Sequence, residues 1–184
     1  MRIISGKYRG IQIPSPKELI VKPTLDRIKE NVFNILQFKV KGAKVLDLFC
    51  GSGALGIEAL SRDASFVSFV DNNKNNIVAL KKFLDKINAE NFTLINSDYY
   101  DALKTFKEQN KTFDIIFLDP PYDSDLAQIA LQKIFKFDLL SQDGIIVWEH
   151  QFDLEQNRFA SKIVDKRVYG KVEIDFISKV NSSG

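Results

Sequence analysis

Four residues at the end of an apolar run have the types and spacing needed for chemistry on a planar amine. Asp119, Pro120, Pro121 and Tyr122 follow the apolar run 115–118, which is typical of a buried parallel strand that stops abruptly. Each proline fixes its own φ, lacks an N–H and favours an extended residue before it, so carbonyls in this stiff turn stay free. A carboxylate, a carbonyl and an aromatic ring suit an exocyclic amine on a flat base. The alternative is an ordinary turn, because Asp-Pro is a common turn opener.

A glycine-rich turn follows an earlier apolar segment. Gly51, Gly53 and Gly56 satisfy the GxGxxG spacing, which alone is weak evidence for a dinucleotide site. Asp71 ends the next predicted strand twenty residues after Gly51, where a carboxylate can accept hydrogen bonds from both ribose hydroxyls. NAD and S-adenosyl-L-methionine (SAM) fit these residues equally well.

Asp47 separates the two cofactors. A carboxylate on the first predicted strand opposes a pyrophosphate that must approach this turn closely, whereas it attracts a sulfonium and an ammonium group. The glycines still allow the backbone to approach the amino-acid part of such a cofactor. Asp47 therefore favours SAM, with S-adenosyl-L-homocysteine (SAH) as product, and the alternative is a carboxylate that only stabilises the turn.

The third predicted strand also ends in a carboxylate. Asp98 can accept from an adenine amino group while Tyr99 covers the ring, but Asp98 is an equally good helix N-cap, and both interpretations stand. The full predicted cofactor site consists of Asp47, Phe49, Gly51, Gly53, Asp71, Asn72, Asp98 and Tyr99. No metal is needed, and the single histidine, His150, is interpreted as structural.

The elements that must position these residues alternate along the chain. Alternating strands and helices predict an α/β fold with a doubly wound, mostly parallel sheet, and a C-terminal antiparallel hairpin adds a mixed edge. Ligands bind at the carboxyl ends of the strands in such sheets. The predicted strands are 45–49, 66–70, 92–95, 113–118 and 145–148, the helices are 54–61, 75–87, 99–109 and 126–135, and the hairpin is 162–168 with 172–179.

The charge is unevenly distributed. Residues 1–44 hold ten lysines and arginines against three acidic residues, a net charge of +7, whereas the rest of the chain carries −5. This asymmetry indicates a basic extension that meets a polyanion, and the alternative is a solvated lysine-rich surface. Two short strands, 2–4 and 11–13, and a helix capped by Thr24 are predicted there. We expect a basic, polyanion-binding extension over 1–40, a SAM-dependent methyltransferase domain over 41–180 and a loose tail over 181–184.

The bulk composition is that of an ordinary globular protein. The 184 residues are 45% hydrophobic and 27% charged, and the single Cys50 excludes an internal disulfide. The N-terminus lacks the apolar region of a signal peptide, and no apolar run approaches membrane-spanning length. A cytoplasmic enzyme without membrane contact is therefore expected.

Several segments resemble one known family. The chain is similar to the bacterial 16S rRNA (guanine-N2)-methyltransferases of the RsmD type, within the class I SAM-dependent methyltransferases. Lys22 stands where that family usually has Arg, and Asp71 stands where Glu is frequent. The matching segments are residues 2–10, 22–36, 47–62, 119–122 and 169–170.

The resemblance implies a Rossmann-like class I fold and methylation of the N2 amino group of a specific guanine in 16S rRNA. The substrate would be an assembled or partly assembled small subunit, ribosomal protein surfaces would take part in recognition, and the enzyme would be a monomer. Methylation of DNA adenine N6 or of another amino group is the alternative, but the chain has no room for a sizeable target-recognition insertion. The implied catalytic residues are Asp119, Pro120, Pro121 and Tyr122, and the implied RNA-binding residues are Arg2, Lys7, Arg9, Lys22 and Arg27.

Overall fold

The computed structural model describes residues 1–14, 23–121, 124–150 and 162–179. The predicted site residues Lys22 and Tyr122 and the predicted tail 181–184 lie outside this part of the chain. The helices are α1 (Pro23–Ile35), α2 (Ala54–Ser61), α3 (Lys74–Lys86), α4 (Tyr99–Glu108) and α5 (Ser124–Lys136). The strands are β1 (Lys44–Leu48), β2 (Phe66–Asp71), β3 (Phe92–Asn96), β4 (Phe113–Leu118), β5 (Leu140–His150), β6 (Ile163–Tyr169) and β7 (Val172–Ser178).

The strands form one mixed sheet, and its order confirms the predicted fold class. The order is β3-β2-β1-β4-β5-β7-β6. Strands β1 to β5 are parallel, and β7 runs antiparallel to both of its neighbours, β5 and β6. The chain order reverses between β1 and β4, which are adjacent in the sheet. In doubly wound sheets the ligand crevice opens at this switch point, beyond the carboxyl ends of the strands.

Both faces of the sheet are buried, which explains the continuous apolar runs. Ile115 and Phe117 on β4 pack into the core beneath α1, α2 and α3, whereas Ile116 and Leu118 pack into the core beneath α4 and α5. The ring of Phe117 lies 5.6 Å from that of Phe33, which attaches α1 to the centre of the sheet. Burying such a side chain contributes about 1.5–3 kcal/mol to folding, so the strand carrying the predicted catalytic turn is firmly held.

The N-terminal segments predicted as strands over 2–4 and 11–13 pair with each other as in a hairpin, with one antiparallel bridge between Arg2 and Gln12. Backbone hydrogen bonds run from the Ile3 N–H to the Ile11 carbonyl at 3.0 Å and from the Ile13 N–H to the Met1 carbonyl at 2.9 Å. The turn of this hairpin also bonds to α2. Ser61 at the end of α2 accepts from the Lys7 N–H at 2.8 Å through its carbonyl and from the Tyr8 N–H at 3.0 Å through its hydroxyl. The predicted hairpin is therefore present, and these long-range bonds attach it to the helix.

Gly6 makes this docking possible. Its φ is +83°, and a Cβ at this position would lie only 1.7 Å from the carbonyl oxygen of Ser61. An L side chain disfavours that backbone conformation and would also overlap the helix. The segment therefore approaches α2 at backbone contact distance.

Glu58 fastens the same segment from inside. Its buried carboxylate accepts hydrogen bonds from the backbone N–H groups of Ile4 at 2.9 Å and Ser5 at 3.0 Å. It also pairs with Arg62 at 2.8 Å and with Lys29 of α1 at 3.2 Å. Burial lowers the pKa of Lys29, and the charge of Glu58 opposes that shift. One carboxylate thus joins the N-terminal segment, α1 and α2.

Two predicted boundaries are wrong. The helix expected to be capped by Thr24 begins at Pro23, a residue suited to the first helical position because its missing N–H would have no partner there. Strand β5 begins at Leu140 rather than at residue 145. Polar residues interrupt the apolar pattern there, but Leu140 pairs with Phe113 before a register shift, in which the extra residues belong to β5. Among the described residues, no helix is both long and apolar enough to cross a membrane.

Candidate active site

A cavity of about 590 Å³ opens at the carboxyl ends of the parallel strands. Its walls come from the loop after β1, the ends of β2, β4 and β5, the start of α4, and one side of α1 with Met1. The structure brings nearly all the predicted cofactor and catalytic residues to this one space. Those that line it are Asp47, Phe49, Gly51, Asp71, Asn72, Asp98, Tyr99, Asp119, Pro120 and Pro121, whereas Gly53 lies just outside the lining.

The loop between β1 and α2 has an unusual backbone. Phe49, Gly51 and Gly53 have φ values of 65°, 53° and 75°. For a bulky residue such as Phe49, this left-handed conformation costs of order 1–3 kcal/mol and persists only where the surroundings enforce it. The ring of Phe49 packs against Tyr99 with centroids 5.3 Å apart. Backbone strain is therefore stored in the wall of the cavity.

Asp71 holds this loop in place. Its Oδ2 accepts from the Gly51 N–H at 2.8 Å, and its Oδ1 accepts from the Asn73 N–H at 2.8 Å. Oδ1 also accepts from Asn76 Nδ2 at 3.4 Å, so the remaining acceptor capacity is the second lone pair of Oδ2. Binding of ribose hydroxyls by Asp71 stays a prediction, and the structure adds a loop-shaping contact that the sequence did not reveal.

Asp47 has the features of both roles considered from the sequence, a carboxylate that stabilises the turn and a carboxylate that faces the cofactor. It is buried, its Oδ2 accepts from the Gly56 N–H at 2.9 Å, and it also lines the cavity. Burial raises the pKa of Asp47 to about 7, the Gly56 hydrogen bond opposes that shift, and the charge of Asp71 adds to it. A Cβ on Gly56 would lie 3.0 Å from Asp47 Oδ2 and 2.2 Å from the Phe69 ring, so the last glycine of the motif allows close packing of α2 on the sheet.

Asp98 is the N-cap of α4. Its Oδ1 accepts from the Tyr100 N–H at 2.8 Å. The side chain also borders the cavity beside Tyr99, whose pKa is raised by burial and by the charge of Asp98. The capping interpretation is thus observed, and contact with an adenine ring stays a prediction for the same pair of residues.

Asp119 and Glu149 place two carboxylates side by side. Leu118 and Trp148 are paired in register on β4 and β5, and Asp119 and Glu149 are the next residues along each chain. Asp119 is exposed and lines the cavity, where the surrounding protein desolvates its carboxylate. This enclosure raises the pKa of Asp119 well above its ordinary value, and the charges of Glu149 and Asp47 raise it further.

Glu149 itself was not assigned a role from the sequence. Burial raises its pKa, and the neighbouring His150 opposes that shift. His150 also borders the cavity, with its Nε2 3.1 Å from Asp175 Oδ2. The signal that could have identified Glu149 is its position at a strand end, one strand beyond Asp119.

The carboxylates predict how pH should affect cofactor binding. A cation binds the ionised form of Asp47, and raising the pH through about 7 increases that form. SAM affinity should therefore rise by up to about tenfold from pH 6 to pH 8, with protons released on binding at the lower pH. Isothermal titration in buffers of different ionisation enthalpy measures both quantities. Asp47→Asn should flatten the dependence, and an affinity that falls with rising pH would contradict the expected charge attraction.

The predicted RNA-binding residues fall into two groups. Arg2 and Arg27 are exposed, and their chain neighbours Met1 and Ile28 line the cavity. Lys7 and Arg9 are also exposed, but their turn is fastened to Ser61 at the end of α2 remote from the glycine loop. The first group is therefore adjacent in the chain to cavity-lining residues, and the second is attached at the far end of α2.

The chain is similar to known proteins over nearly its whole length. It matches the family described as conserved hypothetical protein 95 over residues 1–178. Ribosomal RNA small subunit methyltransferase D of Haemophilus influenzae is 38% identical over 155 residues, which is 83% of this chain and 80% of that protein. The Escherichia coli protein of the same name is 32% identical over 153 residues, or 83% and 76% of the two chains. The solved structure of yhhF from Escherichia coli matches with a TM-score of 0.83 at 31% identity, covering 96% of both chains. The similarity therefore includes the N-terminal segment as well as the sheet.

Proposed function

The chain belongs to the RsmD-type methyltransferase family, and we propose that it methylates the N2 amino group of a specific guanine in 16S rRNA, with SAM as methyl donor. The observation that carries this proposal is the shared cavity. Asp119 and Pro120, suited to holding an amine, line the same space as Asp47 and the glycine loop, suited to holding a cationic cofactor.

The cofactor side of the cavity fits SAM. In the described part of the chain, Asp47 has no ion pair with a basic side chain, so a cationic cofactor would find a carboxylate that no protein charge neutralises. Asp71 would bind the ribose, and Asp98 and Tyr99 would hold the adenine. SAM supplies an electrophilic methyl group, and the protein has to present the nucleophile to it.

The residues around the bound guanine would compensate for the weak nucleophilicity of its amino group. The lone pair of the guanine amino group is delocalised into the ring. The Asp119 carboxylate and the Pro120 carbonyl would accept its two hydrogens, which orients the lone pair and favours positive charge developing on nitrogen. Pro121 keeps the turn stiff, and Tyr122 would stack on the base. Asp119 or water would accept the proton afterwards.

Residues 1–40 form the proposed RNA-binding extension. A guanine within a stem or stacked loop must be flipped into the cavity at a cost of a few kcal/mol. Phosphate contacts position the RNA for this step without reading its sequence, and the proposed contacts come from Arg2, Lys7, Arg9, Lys22 and Arg27. A cytoplasmic monomer would act on the small ribosomal subunit or an assembly intermediate, with ribosomal proteins as further contacts.

Label transfer tests this function. Tritiated SAM is incubated with small subunits that lack native methylation, with naked rRNA and duplex DNA in parallel, and the nucleosides are then separated. Label in N2-methylguanosine from the subunit would support the substrate, the atom and the cofactor together. Label in adenine, DNA or protein would overturn the guanine assignment while keeping the amine-binding turn.

The two basic groups predict different salt dependences. Arg2→Ala with Arg27→Ala, and separately Lys7→Ala with Arg9→Ala, should each weaken RNA binding. Removing one phosphate contact reduces the steepness of log K against log salt by about 0.7–0.9, so each pair should reduce it by about 1.5. The measurement is a filter-binding titration over a range of salt concentrations around the physiological value. Lys82→Ala with Lys86→Ala, two exposed lysines on α3, is the matched control, and a slope unchanged by a tested pair would place that pair away from RNA.

A further inference from the structure

Glu149 has a defined position but no role in the proposed mechanism. Its carboxylate lines the cavity at the end of β5. Among the described residues it has no hydrogen bond and no ion pair with a basic side chain. Ile174 stands opposite it on β7, and Val147 and Ile28 line the same region of the cavity. A half-buried carboxylate with apolar neighbours is an acceptor that lacks a donor, and such a group is costly unless a ligand supplies one.

The strand order separates Glu149 from the proposed cofactor site. The order β1-β4-β5 places Asp119 between the glycine loop after β1 and Glu149 on β5. The residues proposed to hold the cofactor lie at the carboxyl ends of β1, β2 and β3 or directly after them. Glu149 therefore lies on the side of Asp119 away from those residues, where the ring of the target base would be.

Guanine has the donor that fits this position. Its amino group is attached to the carbon next to N1, and N1 carries a hydrogen. Adenine and 2-aminopurine also have an exocyclic amine beside N1, but their N1 has a lone pair and no hydrogen. Two neighbouring carboxylates thus complement two neighbouring donors on guanine, whereas one of them would face a lone pair on either of the other bases.

We propose that Glu149 accepts a hydrogen bond from N1–H of the target guanine while Asp119 holds the amino group, and that this contact selects guanine over other amino-purines. This inference rests on the proposed function and deepens it. Sites built to bond a substrate N–H reject analogues that lack it by large factors. For a half-buried carboxylate we expect about 10²- to 10³-fold discrimination.

The test compares guanosine with 2-aminopurine riboside at one position. The modified guanosine is first mapped in wild-type reactions. Small subunits are then assembled with ligated rRNA that carries either nucleoside there, and single-turnover rates are measured. Wild type should prefer guanosine by about 10²- to 10³-fold. Glu149→Gln can donate to N1 of 2-aminopurine, so its preference should fall below about tenfold, mainly through faster transfer to 2-aminopurine. Glu149→Ala should also lose most of the preference, mainly through slower transfer to guanosine.

Controls separate the two levels of the proposal. Glu90→Gln, an exposed glutamate between α3 and β3, should keep the wild-type preference, and SAH-induced thermal stabilisation verifies folding and cofactor binding of each variant. If Glu149→Gln and Glu149→Ala keep the wild-type preference, or lose both substrates equally, the selection role of Glu149 is overturned while the function stands. If wild type forms no N2-methylguanosine, the proposed function fails and this inference fails with it.

Discussion

Replacing Asp119 with alanine should slow methyl transfer about 10³-fold or more while leaving SAM affinity within a few-fold of wild type. The variant loses a charged acceptor that orients the amine and stabilises charge developing on its nitrogen, contacts of the kind that contribute about 10²–10³ each. Asp119 directly follows β4, beside rather than within the glycine loop and the β2 end that would hold most of the cofactor. Single-turnover transfer of labelled methyl to small subunits measures the rate, and SAH titration measures cofactor binding.

Asp119→Asn separates charge from geometry. The asparagine keeps one carbonyl acceptor for an amino hydrogen but loses the negative charge, so its rate should fall between those of wild type and the alanine variant. Asp143→Ala, at an exposed position early in β5, is the matched control and should behave as wild type. Methyl transfer by Asp119→Ala at the wild-type rate would show that Asp119 has no role in the mechanism. The Pro120 carbonyl would then be the only proposed acceptor for the amino group.

The central sheet was predictable because its strands carry a simple signal. β1 and β4 are buried on both faces, so their sequences are largely apolar, and helices with one apolar face lie between them. Strand ends in a parallel sheet meet at one edge. Each of Asp47, Asp71, Asp98 and Asp119 was recognised from the local sequence at or near a strand end. Their common position at the cavity then followed from the parallel order of the strands.

The N-terminal segment was harder to predict because its partners are distant in the chain. Short alternating segments around Gly6 predicted the hairpin, but they did not predict the bonds from its backbone to Glu58 and Ser61, more than fifty residues away. No local periodicity encodes such contacts. Glu149 was missed for a related reason, since its proximity to Asp119 depends on the pairing of β4 with β5.

Glu58→Ala should lower the free energy of unfolding by about 3–5 kcal/mol, the usual cost of removing one partner from a buried ion pair. Lys29 is 3% exposed and would keep a buried charge without this carboxylate, and the N–H groups of Ile4 and Ser5 would lose their acceptor. Urea unfolding followed by the fluorescence of the single tryptophan, Trp148, measures the loss. Glu90→Gln should cost less than about 0.5 kcal/mol, as expected for exposed sites.

The pH dependence of this loss identifies its cause. Burial lowers the pKa of Lys29 in the folded protein, and removing Glu58 removes the charge that opposes this shift. Between the pKa of Lys29 in the folded variant and that in the unfolded variant, the unfolded variant then binds more protons. The free energy of unfolding of the variant should therefore rise with pH over that range. The deficit of Glu58→Ala should accordingly shrink between pH 7 and pH 10, and adding Lys29→Met should restore part of the stability at pH 7. A deficit that stays constant with pH would assign the cost to the missing backbone hydrogen bonds instead, and one below about 1 kcal/mol would mean that Glu58 does not anchor the N-terminal segment.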